Sequence, residues 1–136
     1  MRFKRYALSC LFLFLLSLGW NALVHLVLLR KVHAVVQHLR RPDFADKMLL
    51  SLLLTAGFVC LFVWGYARFT RTGSLREGAL YGVFIALLAG LLVDFNQYLL
   101  YPITAWVAFV WFLGGLVEFT LYGVLLAAFR APRTAK

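Results

Sequence analysis

The sequence predicts an all-α integral membrane protein, a bundle of four transmembrane helices in a single domain spanning residues 1–136. Three observations carry that prediction. Four stretches, roughly 6–29, 47–69, 76–99 and 103–129, are long and apolar enough to cross a bilayer, which takes about 20 residues. The composition is 64% hydrophobic and 14% charged, with a mean hydropathy of +0.89, outside the range of soluble globular chains. Small and polar residues also recur every four positions within the apolar runs, the spacing of one helix face.

The first stretch opens with Arg2, Lys4 and Arg5 ahead of an apolar run. With Ser17-Leu18-Gly19 behind it, this run resembles a cleavable secretory signal. The run continues through Leu29, however, and that length favours an uncleaved span. Residues 30–46 form a basic outer segment in which Val32, Val35, Val36 and Leu39 fall at i, i+3, i+4 and i+7. This pattern predicts either that helix one continues past the membrane or, by a small margin the better fit, that a short amphipathic helix lies in the headgroup plane. Arg41-Pro42 then breaks it, because a residue before proline avoids the helical region.

Between the second and third stretches, Gly73 can end helix two in a left-handed conformation. Ser74 and Glu77 have the spacing of a capping box that opens helix three. Pro102 suits the first turn of helix four, where its missing N–H costs nothing. Helices two and three, and three and four, are therefore expected to form tight hairpins.

Charge sets orientation and narrows the partners. The excess of 14 Lys and Arg over 5 Asp and Glu would suggest nucleic acid in a soluble chain, but here the cations cluster at the ends of apolar runs. The lipid bilayer is the expected partner and nucleic acid is not. One side carries Arg2, Lys4, Arg5, Arg68, Arg71, Arg76, Arg130, Arg133 and Lys136, against Arg30, Lys31, Arg40, Arg41 and Lys47 on the other. The richer side faces the cytoplasm, which places both termini inside a cell membrane, expected to be a bacterial inner membrane. Aromatic residues, Trp20, Trp64, Tyr66, Tyr101 and Trp106 among them, fall near the ends of spans as an interfacial belt does.

The small-residue line of the third stretch is Gly78, Gly82, Ala86, Gly90 and then Asp94. Small residues let helix backbones approach closely in lipid, so this face is expected to be a packing surface. In the first stretch Ser17, Asn21 and His25 share a face, and in the fourth Glu118 follows Gly114. Ionisable groups within the membrane are costly enough to mark Asn21, His25, Asp94 and Glu118 as candidates for binding a ligand or proton. With a rise of about 1.5 Å per residue, His25 and Asp94 both come out about 10 Å outward of the bilayer centre, and Glu118 about 13 Å deeper. His25 and Asp94 can thus pair, while Glu118 has Tyr122 one turn away and Asn21 as hydrogen-bond donors. The competing reading of all four is interhelical glue, with Glu118 held as a neutral acid.

No cofactor or metal is expected. A six-coordinate haem needs two facing histidines within the spans, and His25 with Asp94 lacks a third metal ligand. Cys10 and Cys60 each stand alone in an apolar run, and no CxxC occurs. They read as small hydrophobes.

Glu77-Gly78-Ala79-Leu80-Tyr81-Gly82 opens helix three, Asp94-Phe95-Asn96 lies near its end, and Gly114-Gly115 and Gly123 mark helix four. Through these elements the second half of the chain resembles small bacterial four-span membrane families known as domains of unknown function. Trp20-Asn21 is similar to an aromatic-polar element of the same families. The resemblance implies a compact four-helix membrane fold and no activity. Small multidrug transporters fit less well, because their carboxylate stands in helix one. Lipoprotein signal peptidases need paired aspartates, and quinone-linked thiol oxidoreductases need cysteine pairs. The leading expectation is a subunit or assembly partner of a membrane complex, or a self-associating protein. The alternative is a small-molecule or ion transporter working through the polar cluster, with a membrane enzyme third.

Overall fold

The computed structural model describes residues 3–28, 30–31, 39 and 42–129; of His25 and Leu28 it describes the backbone only. It has the predicted all-α architecture, and four of its helices are long and apolar enough to cross a membrane: Phe3–Ala22, Ala45–Phe69, Leu75–Leu100 and Ala105–Phe129. No strand occurs among the described residues. The elements run α1 (Phe3–Ala22), a π-helical segment Leu23–Leu28, a 3₁₀ turn Ala45–Lys47, α2 (Met48–Phe69), α3 (Leu75–Ala89), a π turn Gly90–Asp94, α4 (Phe95–Leu100) and α5 (Ala105–Phe129). The residues fall into two compact units, Met1–Trp64 and Gly65–Lys136, with the boundary inside α2.

In the first unit, α1 buries Ser9, Cys10, Leu13 and Ser17, a narrow stripe one and two turns apart. The Tyr6 hydroxyl crosses to α2 and donates to the Cys60 carbonyl at 2.8 Å. On α2 the residues Val59, Phe62 and Val63 are buried. Most other side chains of these helices are large, apolar and exposed, Leu11, Leu15, Leu49, Leu53 and Leu61 among them, as a lipid-facing surface requires. Arg30 and Lys31 are helical, whereas the expected amphipathic stripe over 32–38 lies outside the described residues. Just before α2, Lys47 pairs with Asp43 at 3.2 Å on the exposed side of the turn.

The second unit is built on the contact of α3 with α5. Gly78, Gly82, Ala86 and Gly90 are all buried, so the predicted small-residue face packs within this chain. The carbonyls of Gly78 and Gly123 press reciprocally against each other's backbone, and Gly82 sits against Phe119 and Thr120. A Cβ built on Gly82 would lie 2.7 Å from the Thr120 Cα, and one on Gly78 would lie 3.0 Å from the Ala127 Cβ. Neither neighbour is a flexible side-chain tip, so glycine is required for this approach. The gain is van der Waals contact, supplemented by weak Cα–H···O attraction, because lipid offers no hydrophobic force between helices.

The turn joining α2 to α3 corrects one expectation and extends another. Gly73 is left-handed, with φ 68°, but lies four residues beyond the end of α2 and does not cap it. Thr70 closes that helix instead, its N–H donating to the Tyr66 carbonyl at 3.1 Å and its hydroxyl reaching the same oxygen at 2.5 Å. Ser74 caps α3 by accepting from the Glu77 N–H at 3.2 Å. The Glu77 carboxylate does not return to Ser74 as a capping box would. It accepts from the N–H groups of Arg71, Thr72 and Gly73 and from the Thr72 hydroxyl, gathering three loop amides on one side chain.

Pro102 also departs from expectation. It stands in the turn before α5, outside the helix. There Ile103 N–H bonds the Tyr101 carbonyl at 2.7 Å, a three-residue turn, and the Thr104 carbonyl accepts the first helical bonds from Val107 and Ala108. A β-region Tyr101 with φ −124° and ψ 152° precedes the proline, as steric exclusion of the helical region demands.

Glycine contacts separate two classes of variant. Gly82→Ala and Gly123→Ala should each lower stability by about 1–3 kcal/mol through overpacking, measured by denaturant unfolding in lipid bicelles. Gly19 and Gly57 have open space around their Cα, and alanine there should be neutral or stabilising. Equal losses at all four positions would remove close approach as the cause. Glu77→Ala, which strips the acceptor from three loop amides, should cost about 1 kcal/mol in the same assay.

Candidate functional site

The four polar candidates stand on different elements, two in each unit. Asn21 is at the end of α1. Its amide donates to the Ser17 carbonyl at 2.9 Å and approaches the Ser17 hydroxyl at 3.4 Å. Ser17 is buried and Asn21 is exposed, so the expected Ser17–Asn21 face exists but its outer member turns away from the packing. His25 comes next, within the π segment, and its side chain lies outside the described residues, as does any pairing it makes with Asp94.

Glu118 is half-buried on α5. The Tyr122 hydroxyl, one turn further on, donates to its carboxylate in a short hydrogen bond, as the spacing predicts. Tyr122 is 1% exposed, held by the same two turns of α5 that meet Gly78 and Gly82. The Phe119 and Tyr122 rings pack edge to face with centroids 6.0 Å apart. The carboxylate's orientation therefore depends on the helix contact beneath it.

Asp94 closes the π turn that begins at Gly90. Its side chain is half-buried and has no hydrogen-bond partner among the described residues; in particular, none joins it to Glu118. The Phe112 ring of α5 lies against the Gly90 backbone, with its Cε2 2.7 Å from where a Cβ would stand, and packs on Phe95 at a centroid distance of 5.5 Å. Gly90 and Phe95 bracket Asp94, so one aromatic side chain supports the turn from both ends. The run after it, Asn96, Gln97 and Tyr98, belongs to α4.

Sequence periodicity misses two features of this region. One is the pair of π segments, each of which carries a candidate ionisable residue, His25 in the first and Asp94 in the second. A π turn adds a residue to the helical repeat and re-aims the side chains beyond it, and such turns concentrate at functional sites. The other is Gly65 near the end of α2, where Tyr81 of α3 rests on the helix backbone and its ring meets Tyr66 edge-on at 5.7 Å. No group of three or more His, Cys, Asp or Glu side chains suited to a metal occurs among the described residues.

No family model, curated protein or solved structure matches the chain.

Tyr122→Phe removes the donor seen on Glu118 and should destabilise the protein by about 0.5–1.5 kcal/mol, read by unfolding in bicelles. The Glu118→Gln variant, which keeps an acceptor for Tyr122, should lose less. A larger loss for glutamine than for phenylalanine would mean that the carboxylate, and not the phenol contact, carries the stability.

Proposed function

We propose that this protein is a small multi-pass subunit or assembly partner of a membrane complex, held in a bacterial inner membrane with both termini cytoplasmic. The supporting observation is that polar groups within its spans are bonded along their own helices: Asn21 to Ser17 and Tyr122 to Glu118. Bonds of this kind satisfy polar groups within the helix that carries them, as crossing a bilayer requires. The extensive exposed apolar surface of α1 and α2 suits both lipid and neighbouring membrane helices. The Lys/Arg bias supports the orientation.

A second reading rests on Asp94. A half-buried carboxylate with no partner among the described residues, in a π turn of a membrane span, is the group best suited here to take up a proton or cation. On this reading the ligand-binding role narrows to Asp94, with His25, Asn21 and Glu118 as contributors.

Mass spectrometry of protein purified gently from its native membrane separates the two readings. Other membrane subunits at fixed ratio, retained by Asp94→Asn, are the expected outcome for a complex subunit. A homo-oligomer carrying a bound small molecule, lost on Asp94→Asn, would transfer the assignment to a binding protein. Reporter fusions at each end should both report the cytoplasm, and a periplasmic signal from either would overturn the topology.

A further inference from the structure

Cys10 and Cys60 are 50 positions apart, yet the fold brings them together. Tyr6 and Cys10 are one turn apart on α1 and share a face. The Tyr6 hydroxyl reaches the Cys60 carbonyl at 2.8 Å, so that face is the one turned to α2 at residue 60. Helix rise agrees: Cys10 lies about 10 Å from the start of α1 and Cys60 about 14 Å from the end of α2, which matches an antiparallel pair. The Cys10 side chain neighbours those of Cys60 and Tyr6 at this contact. Cys10 is buried, Cys60 is half-buried, and both are free thiols.

We propose that Cys10 and Cys60 form a dithiol that lipid-soluble organic hydroperoxides convert to a disulfide bridging α1 and α2. The apolar span around the pair restricts attack to oxidants that partition into the bilayer. The more open Cys60 reacts first. Its sulfur attacks the hydroperoxide, the O–O bond breaks, an S–O bond forms, and the alcohol leaves with the thiol proton. The Cys60 sulfenic acid then meets Cys10, whose sulfur displaces the hydroxyl. An S–S bond forms and water departs with the second proton. Two thiols lose two electrons, and the hydroperoxide is reduced to alcohol and water. A sulfenic acid beside a second thiol takes this course in preference to further oxidation. The Tyr6 bond holds the register that keeps the two sulfurs together.

The test exposes the full-length protein in lipid nanodiscs to cumene hydroperoxide and maps its peptides by mass spectrometry. A linked peptide containing Cys10 and Cys60, two hydrogens lighter than the separate peptides and split by dithiothreitol, is expected. In Cys10→Ser the link is lost and dimedone captures a sulfenic acid at Cys60. In Cys60→Ser the link is lost and Cys10 stays reduced. Helical circular dichroism confirms that both variants fold, and the wild-type result stands without them. Recovery of both thiols free from oxidised wild type, or a link formed only between chains, would overturn the proposal. So would over-oxidation of Cys60 with Cys10 unlinked.

Discussion

The close approach of α3 and α5 is the contact on which the second unit depends. Gly78, Gly82 and Gly123 let two backbones meet at a separation no side chain permits. Because lipid is as apolar as the helix surfaces, apolar burial cannot hold these helices together as it does in water. Shape must do so, and the glycines supply a flat seam in which many weak contacts form at once. The same seam fixes the turns of α5 that carry Phe119 and Tyr122, and so decides where Tyr122 can present its hydroxyl to Glu118.

Where the seam ends, the geometry changes. Gly90 is the last small residue of the line, and from it the helix widens into a π turn that closes at Asp94. The Phe112 ring occupies the space that a Cβ at Gly90 would need. A glycine at that position thus serves packing and irregularity together. The widened turn places a carboxylate where a regular helix would have continued the small-residue stripe. This link between a packing device and a polar group gives Asp94 its distinct standing among the four candidates.

The recurrence of Gly78, Gly82, Ala86 and Gly90 is enough to read the packing face from sequence, and Ser74 with Glu77 enough to read the start of α3. The partner of that face is not legible, since periodicity identifies a face and says nothing of what covers it. The π segments are equally hidden, because apolar residues allow i→i+4 and i→i+5 bonding alike. Gly73 and Pro102 are legible as boundary residues, but Gly73 stands four residues beyond the helix end it is expected to cap, and Pro102 stands outside the helix it is expected to open. What closes α2 is a threonine hydroxyl, and what opens α5 is the Thr104 carbonyl. The meeting of Cys10 with Cys60 leaves no local trace, because nothing in either apolar run encodes the register between two helices.

A common rule governs many of the polar side chains in the spans and at their ends. Asn21 donates to Ser17, Thr55 to Ser51, Thr70 to Tyr66, Thr120 to Leu116 and Tyr122 to Glu118, every one to a residue four positions back. A helix whose polar side chains are bonded internally can enter a bilayer before it meets any other helix, since no hydrogen-bonding group is exposed to hydrocarbon. Association is then left to steric fit, which is what the glycine seam provides. By this logic insertion and assembly draw on different residues, and a polar group inside a span that obeys neither rule stands out. Asp94 is such a group: it lies beyond the seam and has no bond to its own helix among the described residues. Among the described residues no hydrogen bond offsets the cost of carrying this carboxylate in a membrane span, which separates Asp94 from the internally bonded polar groups of the other helices.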